Sequence, residues 1–488
     1  MEVQGSHNAS GEIFMKKNLA HNAAYNIIYR LLNVVFPLIS ATYLARVLSP
    51  EGVGRVAYAQ NIVSYFLMFA LMGIPEYGTR EIAKARNSSS QTNQLFTELL
   101  VINFASTAVM CGVYYLFAVT WLPGDRQLYK ILGLELFFNF LNIDWLYQGK
   151  EEYAYITIRS ILVKILSLAA LLFFVRKQED YLIYAVILCL GTGCNYIYNI
   201  LHARKLVRLS FRGLNVHRHL RPVFTLLLST AAASLYNKVD ITMLGWISTE
   251  ASVGYYTNAF KLITIVLTLV TALAAVFLPR LSYVYQTDKN LYNEYLSIGL
   301  KVTLTLAVPC FIGLLLTAED LIIVMFGEAF APAASVIKIL AVFTIIRGAG
   351  DLLCYQAIIS SGNEHMLIKS RIIAGIANIV LNAIWIPRFS HAGAAWASLV
   401  SELIVNGVLL RYTLTFTKPR LSKSFVASLG VSTAVMAGAV LFSQQFWNNR
   451  IITLGVSVTI GVVSYFLMLV ITKNEMLQMI KLRGQSKG

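Results

Sequence analysis

The chain has 488 residues, 57% of them hydrophobic and only 13% charged, with a mean hydropathy of +0.64. Those proportions exclude a soluble globular domain and place it among polytopic membrane proteins. A net charge of +16 would point to nucleic acid in a soluble protein, but here the basic residues lie between apolar segments, where they set topology; the expected partner is a phospholipid bilayer, with no nucleic acid.

Residues 1–14 (MEVQGSHNASGEIF) are polar, lack the apolar core of a signal peptide and precede Met15-Lys16-Lys17, so they read as a non-native or disordered extension. About 20 apolar residues cross the hydrocarbon. On that measure the segments fall at roughly 19–46, 55–78, 94–119, 127–148, 156–175, 182–203, 220–246, 255–279, 292–317, 333–360, 366–386, 391–414, 424–444 and 451–472. The predicted fold is all-α: a polytopic integral membrane protein of about 14 transmembrane helices in two pseudo-repeated lobes around a central cavity. The N-terminal lobe covers 15–203, a basic cytoplasmic loop 204–221 and the C-terminal lobe 222–414; two further helices and a tail occupy 415–488.

The lobes are inferred from internal similarity. At an offset of 200, Leu44, Val53, Gly54, Ala59 and Arg80 fall on Leu244, Val253, Gly254, Ala259 and Arg280; Gly149 and Gly362 align YQGKEEYAYITIR with SSGNEHMLIKSR at 213. With a cytoplasmic N-terminus the loop cations divide 23 inside to 8 outside, which predicts that both termini are cytoplasmic.

Charges within apolar spans are expensive unless they face water or a partner. In the first segment Asn26, Arg30, Asn33, Pro37 and Ser40 share one helical face, and Pro37 predicts a kink. In the second, the repeat places Asn61 opposite the position of Lys261. The seventh carries Lys238 and Asp240, too close in sequence to pair across one face. The eighth has Thr257, Lys261, Thr264, Thr268 and Thr271 on one stripe, which points to a polar cavity. In the tenth, Arg347 stands one turn from Asp351 and is expected to pair with it, either as a self-neutralising pair or as a coupling element. Arg159, Lys301, Lys338 and Arg411 are expected to snorkel to the interfaces.

The five cysteines stand singly in apolar segments, as packing residues do, and His217 and His219 lack further ligands, so no metal is expected. There is no phosphate-cradling GxxxxGK[ST] motif, and no carboxylate cluster suited to sugar chemistry; the chain does not read as an enzyme.

YLARVLSPEGVGRVAYAQNI, GIPEYGTREIAK, DITMLGWISTEASVGYYTNAFKL and SSGNEHMLIKSR together resemble the Wzx-type polysaccharide flippases of the multidrug/oligosaccharidyl-lipid/polysaccharide exporter superfamily. The resemblance covers nearly the whole chain from Met15 and rests on diffuse patterns. It implies a bacterial inner-membrane carrier that moves an undecaprenyl-diphosphate-linked oligosaccharide, an O-antigen or related glycan unit, to the periplasmic leaflet by alternating access. It also implies a cationic cavity onto which Arg30 and Lys261 map, cavity acids at Asp240 or Asp351, no cofactor beyond a coupling proton or sodium ion, and a glycan polymerase and chain-length regulator as further partners. A drug or metabolite antiporter of the same fold and a non-transporting scaffold of glycan assembly stand as alternatives.

Overall fold

The computed structural model describes residues 36–476 apart from 118, 119, 123, 229, 232, 233, 235–237, 273 and 275. Residues 1–14 and the stripe of Asn26, Arg30 and Asn33 lie outside the described residues. Among the described residues every regular element is a helix, as the apolar composition requires of a chain whose backbone must satisfy itself in lipid.

The chain forms two compact units: Met1–Leu48 with Val56–Ser234, and Ser49–Arg55 with Leu235–Gly488. The first contains most of α1 (Gln4–Leu71), then α2 (Ile74–Ala85), α3 (Ser89–Phe117), α4 (Arg126–Phe138), α5 (Asp144–Gly149), α6 (Tyr153–Phe174), α7 (Tyr181–Ala203) and the first part of α8 (His217–Ile247). The second takes the rest of α8, then α9 (Glu250–Ala275), α10 (Leu278–Thr287), α11 (Lys289–Phe326), α12 (Ala334–Leu340), α13 (Phe343–Gly350), α14 (Ala357–Ser360), α15 (His365–Thr413), α16 (Lys423–Ser443) and α17 (Arg450–Ile471). Among the described residues, nine helical stretches are long and apolar enough to cross a bilayer, or ten with the bent pair Glu328–Leu340 and Phe343–Ser360. Two of them, Phe36–Ala85 and His365–Thr413, are 50 and 49 residues long, enough for two passes each at about 20 residues per pass.

Both of those stretches break at a serine in the left-handed region, Ser49 (φ 62°) in α1 and Ser390 (φ 51°) in α15. Ser49, not Pro37, is therefore the non-helical residue of α1's described part. After Ser390 the chain doubles back so tightly that a Cβ on Gly393 would overlap the Trp385 carbonyl oxygen.

The expected segment 127–148 is interrupted at Asn139–Leu141, a single 3₁₀ turn. Side-chain amides account for the break: Asn139 Nδ2 donates to Thr107 Oγ1 (2.8 Å), Asn103 Nδ2 to the Asn139 carbonyl (2.8 Å) and Asn142 Nδ2 to Tyr196 Oη (3.2 Å). Such bonds compete with the helical ladder. Below the break Trp145, Leu146 and Tyr147 pack with Ile82, Phe96 and Leu99 in a buried core.

Repeat geometry is visible within each unit. In the first, Asn93 Oδ1 and Thr97 Oγ1 accept the backbone N–H groups of Arg208 and Ser210 (2.8 and 2.9 Å). In the second, Asn293 Oδ1 and Ser297 Oγ accept those of Lys418 and Arg420 (2.6 and 2.9 Å). The helices thus keep the offset of 200, and each staples the loop that follows its own bundle. Elsewhere the register differs from the expected one. Glu152 N bonds to Tyr147 O at 2.9 Å and Asn363 N to Ile358 O at 3.1 Å, so Glu151 (φ 61°) and Gly362 (φ 74°) occupy the same left-handed helix-end position. The offset there is 211, not the 213 that matching glycines suggests. Pro75 and Pro279 both stand second in their helices, α2 and α10, so Arg80 and Arg280 do not share a helical position.

The segment Ser49–Arg55 meets the start of α9 inside the second unit. A Cβ on Gly54 would overlap the carbonyl oxygen of Glu250, and one on Gly254 would overlap that of Pro50. Arg55 closes the contact on the Glu250 carboxylate at 2.7 Å.

Two cations expected to snorkel are internally paired instead. Arg159, 6% exposed, bonds with Asn199 and pairs with Asp144 at 3.3 Å, because α5 and α7 present acceptors at its depth. Lys301 reaches Glu475 at 2.6 Å, and Ser422 donates to the same carboxylate, which fixes the base of the α16–α17 hairpin. The bonds from Lys301 and Ser422 hold the Glu475 carboxyl below its usual range. A depressed acid stabilises the fold above its unfolded pKa, about 4.3, and that contribution is lost as the pH falls through the folded value. Glu475→Gln is therefore expected to lower the Tm in detergent by a few degrees at pH 7. The gap to wild type should close below about pH 4; a gap that persists in acid would show that the pair does not act through charge.

Candidate functional site

In the second unit, the α8–α9 turn and the α15 break lie together: Ser390 Oγ is 2.7 Å from Ser248 Oγ and 2.6 Å from Ser252 Oγ. Asp240 and Tyr256 stand eight residues to either side of Ser248, and Asn382 and Ser398 eight residues to either side of Ser390. At 1.5 Å per residue all four reach the same depth, about 12 Å from the joined turns.

There they converge. Asp240 is 5% exposed; its Oδ1 accepts from Asn378 Nδ2 (3.0 Å) and Asn382 Nδ2 (2.7 Å), and its Oδ2 from Tyr256 Oη (2.7 Å) and Ser398 Oγ. All four donors are neutral, and among the described residues no Lys, Arg or His lies within ion-pair distance of this carboxylate, Lys238 included. The Oδ1 of Asn382 is buried and has no hydrogen-bond partner. A buried carboxylate left unneutralised beside a spare amide oxygen has the donor chemistry of a site for a hard monovalent cation or a proton. Sequence reading singled out Asp240 and missed its partners. The spacing of Asn378 and Asn382, four apart in an apolar helix, was the available signal.

The predicted stripe lies on α9, helical from Glu250 to Ala275. Thr264 and Thr268 are exposed on the unit, while Thr257, Lys261 and Thr271 are half-buried. Thr264, Thr268 and Thr271 donate to the carbonyls one turn back, at 2.8, 2.8 and 2.9 Å, and the buried hydroxyl of Thr257 has no partner. Lys261 Nζ contacts Asn258 Oδ1 at 3.2 Å, and among the described residues no carboxylate lies within ion-pair distance of it. Lys238 is half-buried on α8, and Asn61 is buried in the first unit.

Arg347 does not pair with Asp351. Its guanidinium reaches across to Glu402 on α15 at 2.8 Å, and Asn406 Nδ2 donates to the other carboxylate oxygen at 3.0 Å. The helix widens into a π-turn at Asp351–Gln356, which spoils the one-turn spacing assumed from an ideal helix, and Asp351 instead accepts from Gln356 Nε2 at 2.9 Å.

His219 lies buried between Tyr77 Oη (2.7 Å) and Glu98 Oε2 (2.7 Å), where it anchors the start of α8.

The family model described as polysaccharide biosynthesis protein matches residues 19–285, more than half of the chain. The chain belongs to that family. Among curated relatives of the family, it is similar to the "Putative O-antigen transporter" of Escherichia coli (strain K12), at 24% identity over 404 residues that cover 81% of this chain and 97% of the relative. Among solved structures it shares the fold of the lipid II flippase MurJ in an inward closed conformation, with a TM-score of 0.76 at 14% identity, covering 93% of this chain and 100% of the other. It also shares the fold of an inward-facing multidrug resistance MATE family transporter of the MOP superfamily, with a TM-score of 0.65 at 11% identity, covering 81% of this chain and 97% of the other.

Proposed function

We propose that this membrane protein is a flippase that carries an undecaprenyl-diphosphate-linked oligosaccharide, an O-antigen or related glycan unit, from the cytoplasmic to the periplasmic leaflet by alternating access. The observation that carries the reading is Lys261: a cation within an apolar helix, on a stripe of hydroxyls, with a neutral amide and, among the described residues, no carboxylate beside it. Such a lysine has spare donors for an anion, and a lipid diphosphate brings about two negative charges that hydrocarbon will not take unaided. Arg30, Lys238, Asn26, Asn33, Asn61, Thr257 and Thr264 are the further groups assigned to this cargo. The polysaccharide family membership supports a glycan-lipid over an organic cation.

Asp240 is assigned to coupling. Its carboxylate, with the oxygen of Asn382 at the same depth, suits a sodium ion or a proton whose gradient resets the empty carrier. The loop charges favour cytoplasmic termini in a bacterial inner membrane. A glycan polymerase and a chain-length regulator would consume the product. No catalytic step is assigned to the chain.

The test is reconstitution of the purified protein in vesicles with a fluorescent polyprenyl-diphosphate oligosaccharide. Protein-dependent transfer of label between leaflets is expected. Vesicles that accumulate an organic cation but leave the lipid-linked glycan unmoved would establish the antiporter alternative.

A further inference from the structure

The π-turn at Asp351–Gln356 leaves three groups unexplained by the roles above. Since Arg347 is engaged by Glu402, the half-buried Asp351 carboxylate keeps one neutral donor, Gln356 Nε2, and among the described residues no cation lies within ion-pair distance of it. Gln356 is 2% exposed, and having given its N–H to Asp351 it has an Oε1 with no partner. Between them in sequence, the ring of Tyr355 is 39% exposed, with the Arg371 guanidinium 5.9 Å from its centroid.

These groups differ from the cage around Asp240. There four donors close over a carboxylate that is almost wholly buried; here a half-buried carboxylate has a single donor among the described residues, a buried amide oxygen beside it has none, and the neighbouring ring is exposed. Such a set of acceptors beside a ring suits a ligand rich in hydroxyl groups. Sugars offer vicinal hydroxyls to planar carboxylate and carboxamide acceptors and an apolar C–H face to an aromatic ring, and a site built to bond a hydroxyl rejects a ligand that lacks it.

We infer that Asp351, Gln356 and Tyr355 form a sugar-recognition site for the glycan part of the cargo, distinct from the diphosphate contact at Lys261. The inference rests on the flippase reading, and the experiment separates the two. The full chain is reconstituted with two probes, a polyprenyl diphosphate bearing one sugar and the same carrier bearing the complete oligosaccharide. In Asp351→Ala and Tyr355→Ala the ratio of oligosaccharide to monosaccharide flipping is expected to fall about tenfold or more, the worth of a charged hydrogen bond. Tyr355→Phe should keep the ratio, because the ring and not the hydroxyl is used. Lys261→Gln should slow both probes alike. Where Asp351→Ala yields too little folded protein, Asp351→Asn, which preserves one acceptor, is expected to show a smaller fall of the same kind. A ratio within about twofold of wild type in folded Asp351→Ala overturns the site. So does a change that follows sodium concentration or pH instead of glycan length, which would make Asp351 a cation site. Failure of the wild type to move either probe removes the flippase reading, and the sugar site with it.

Discussion

Lys261→Gln is expected to abolish flipping or to lower it about ten- to a hundred-fold at matched amounts of folded protein, with Arg the best-tolerated replacement. The size follows from the loss of one charged hydrogen bond to the diphosphate, about 1.5–3 kcal/mol. The expectation is strengthened because, among the described residues, no carboxylate holds the ammonium in place; neutralising it breaks no ion pair among them, so lost activity would not reflect an orphaned partner there. Arginine keeps the charge and presents a fork that suits phosphate oxygens. The membrane potential adds a second readout. Outward movement of negative charge from a cell negative inside is favoured by about 2.3 kcal/mol per charge per 100 mV, and a carrier that neutralises its cargo changes that dependence. Equal flipping by wild type and Lys261→Gln across several imposed potentials would remove Lys261 from the mechanism.

Asp240→Asn should uncouple the carrier. The amide fits the same space and still offers an acceptor to Asn378 and Asn382, while Tyr256 and Ser398 carry hydroxyls that can turn to accept. The fold is therefore expected to survive, and the cation is not. In detergent, the coupling cation stabilises wild type by RT ln(1 + [L]/Kd), about 2.7 kcal/mol at a hundredfold excess over Kd. Thermal unfolding in sodium chloride against choline chloride, each at two pH values, reads this directly: a sodium- or proton-dependent rise in Tm for wild type, absent in Asp240→Asn. Identical responses of the two proteins to both ions would exclude Asp240 as the coupling group.

The α9 stripe was legible because helical periodicity is a local signal: Thr257, Lys261 and Thr264 announce one face within a single segment. The same holds for the span positions, where α6 (Tyr153–Phe174) and α7 (Tyr181–Ala203) lie within a few residues of the expected 156–175 and 182–203. What stayed hidden was the choice of partner between helices. Asp240 is bound by residues 138 to 158 positions away on α15, and Arg347 by one 55 positions away. No periodicity connects such residues. The assumed bond from Arg347 to Asp351 also presumed an ideal helix, and the π-turn invalidated it. Arg159 was misread for a related reason: burial against Asp144 and Asn199 depends on how α5, α6 and α7 pack, and its own segment is silent on that.

The contact at Gly54 and Gly254, all of it within the second unit, is reciprocal: each glycine backs onto the carbonyl oxygen four residues before the other. Gly54 sits on Glu250, Gly254 sits on Pro50, and the two contacts are related by the same shift of 200 positions. A Cβ at either glycine would push the same two helix turns apart. Arg55 has an anionic partner in Glu250, whereas the residues 200 positions from each, Tyr255 and Pro50, carry no charge. The contact is thus reciprocal in its backbone and one-sided in its electrostatics, so that loss of either charge would loosen it from one side alone.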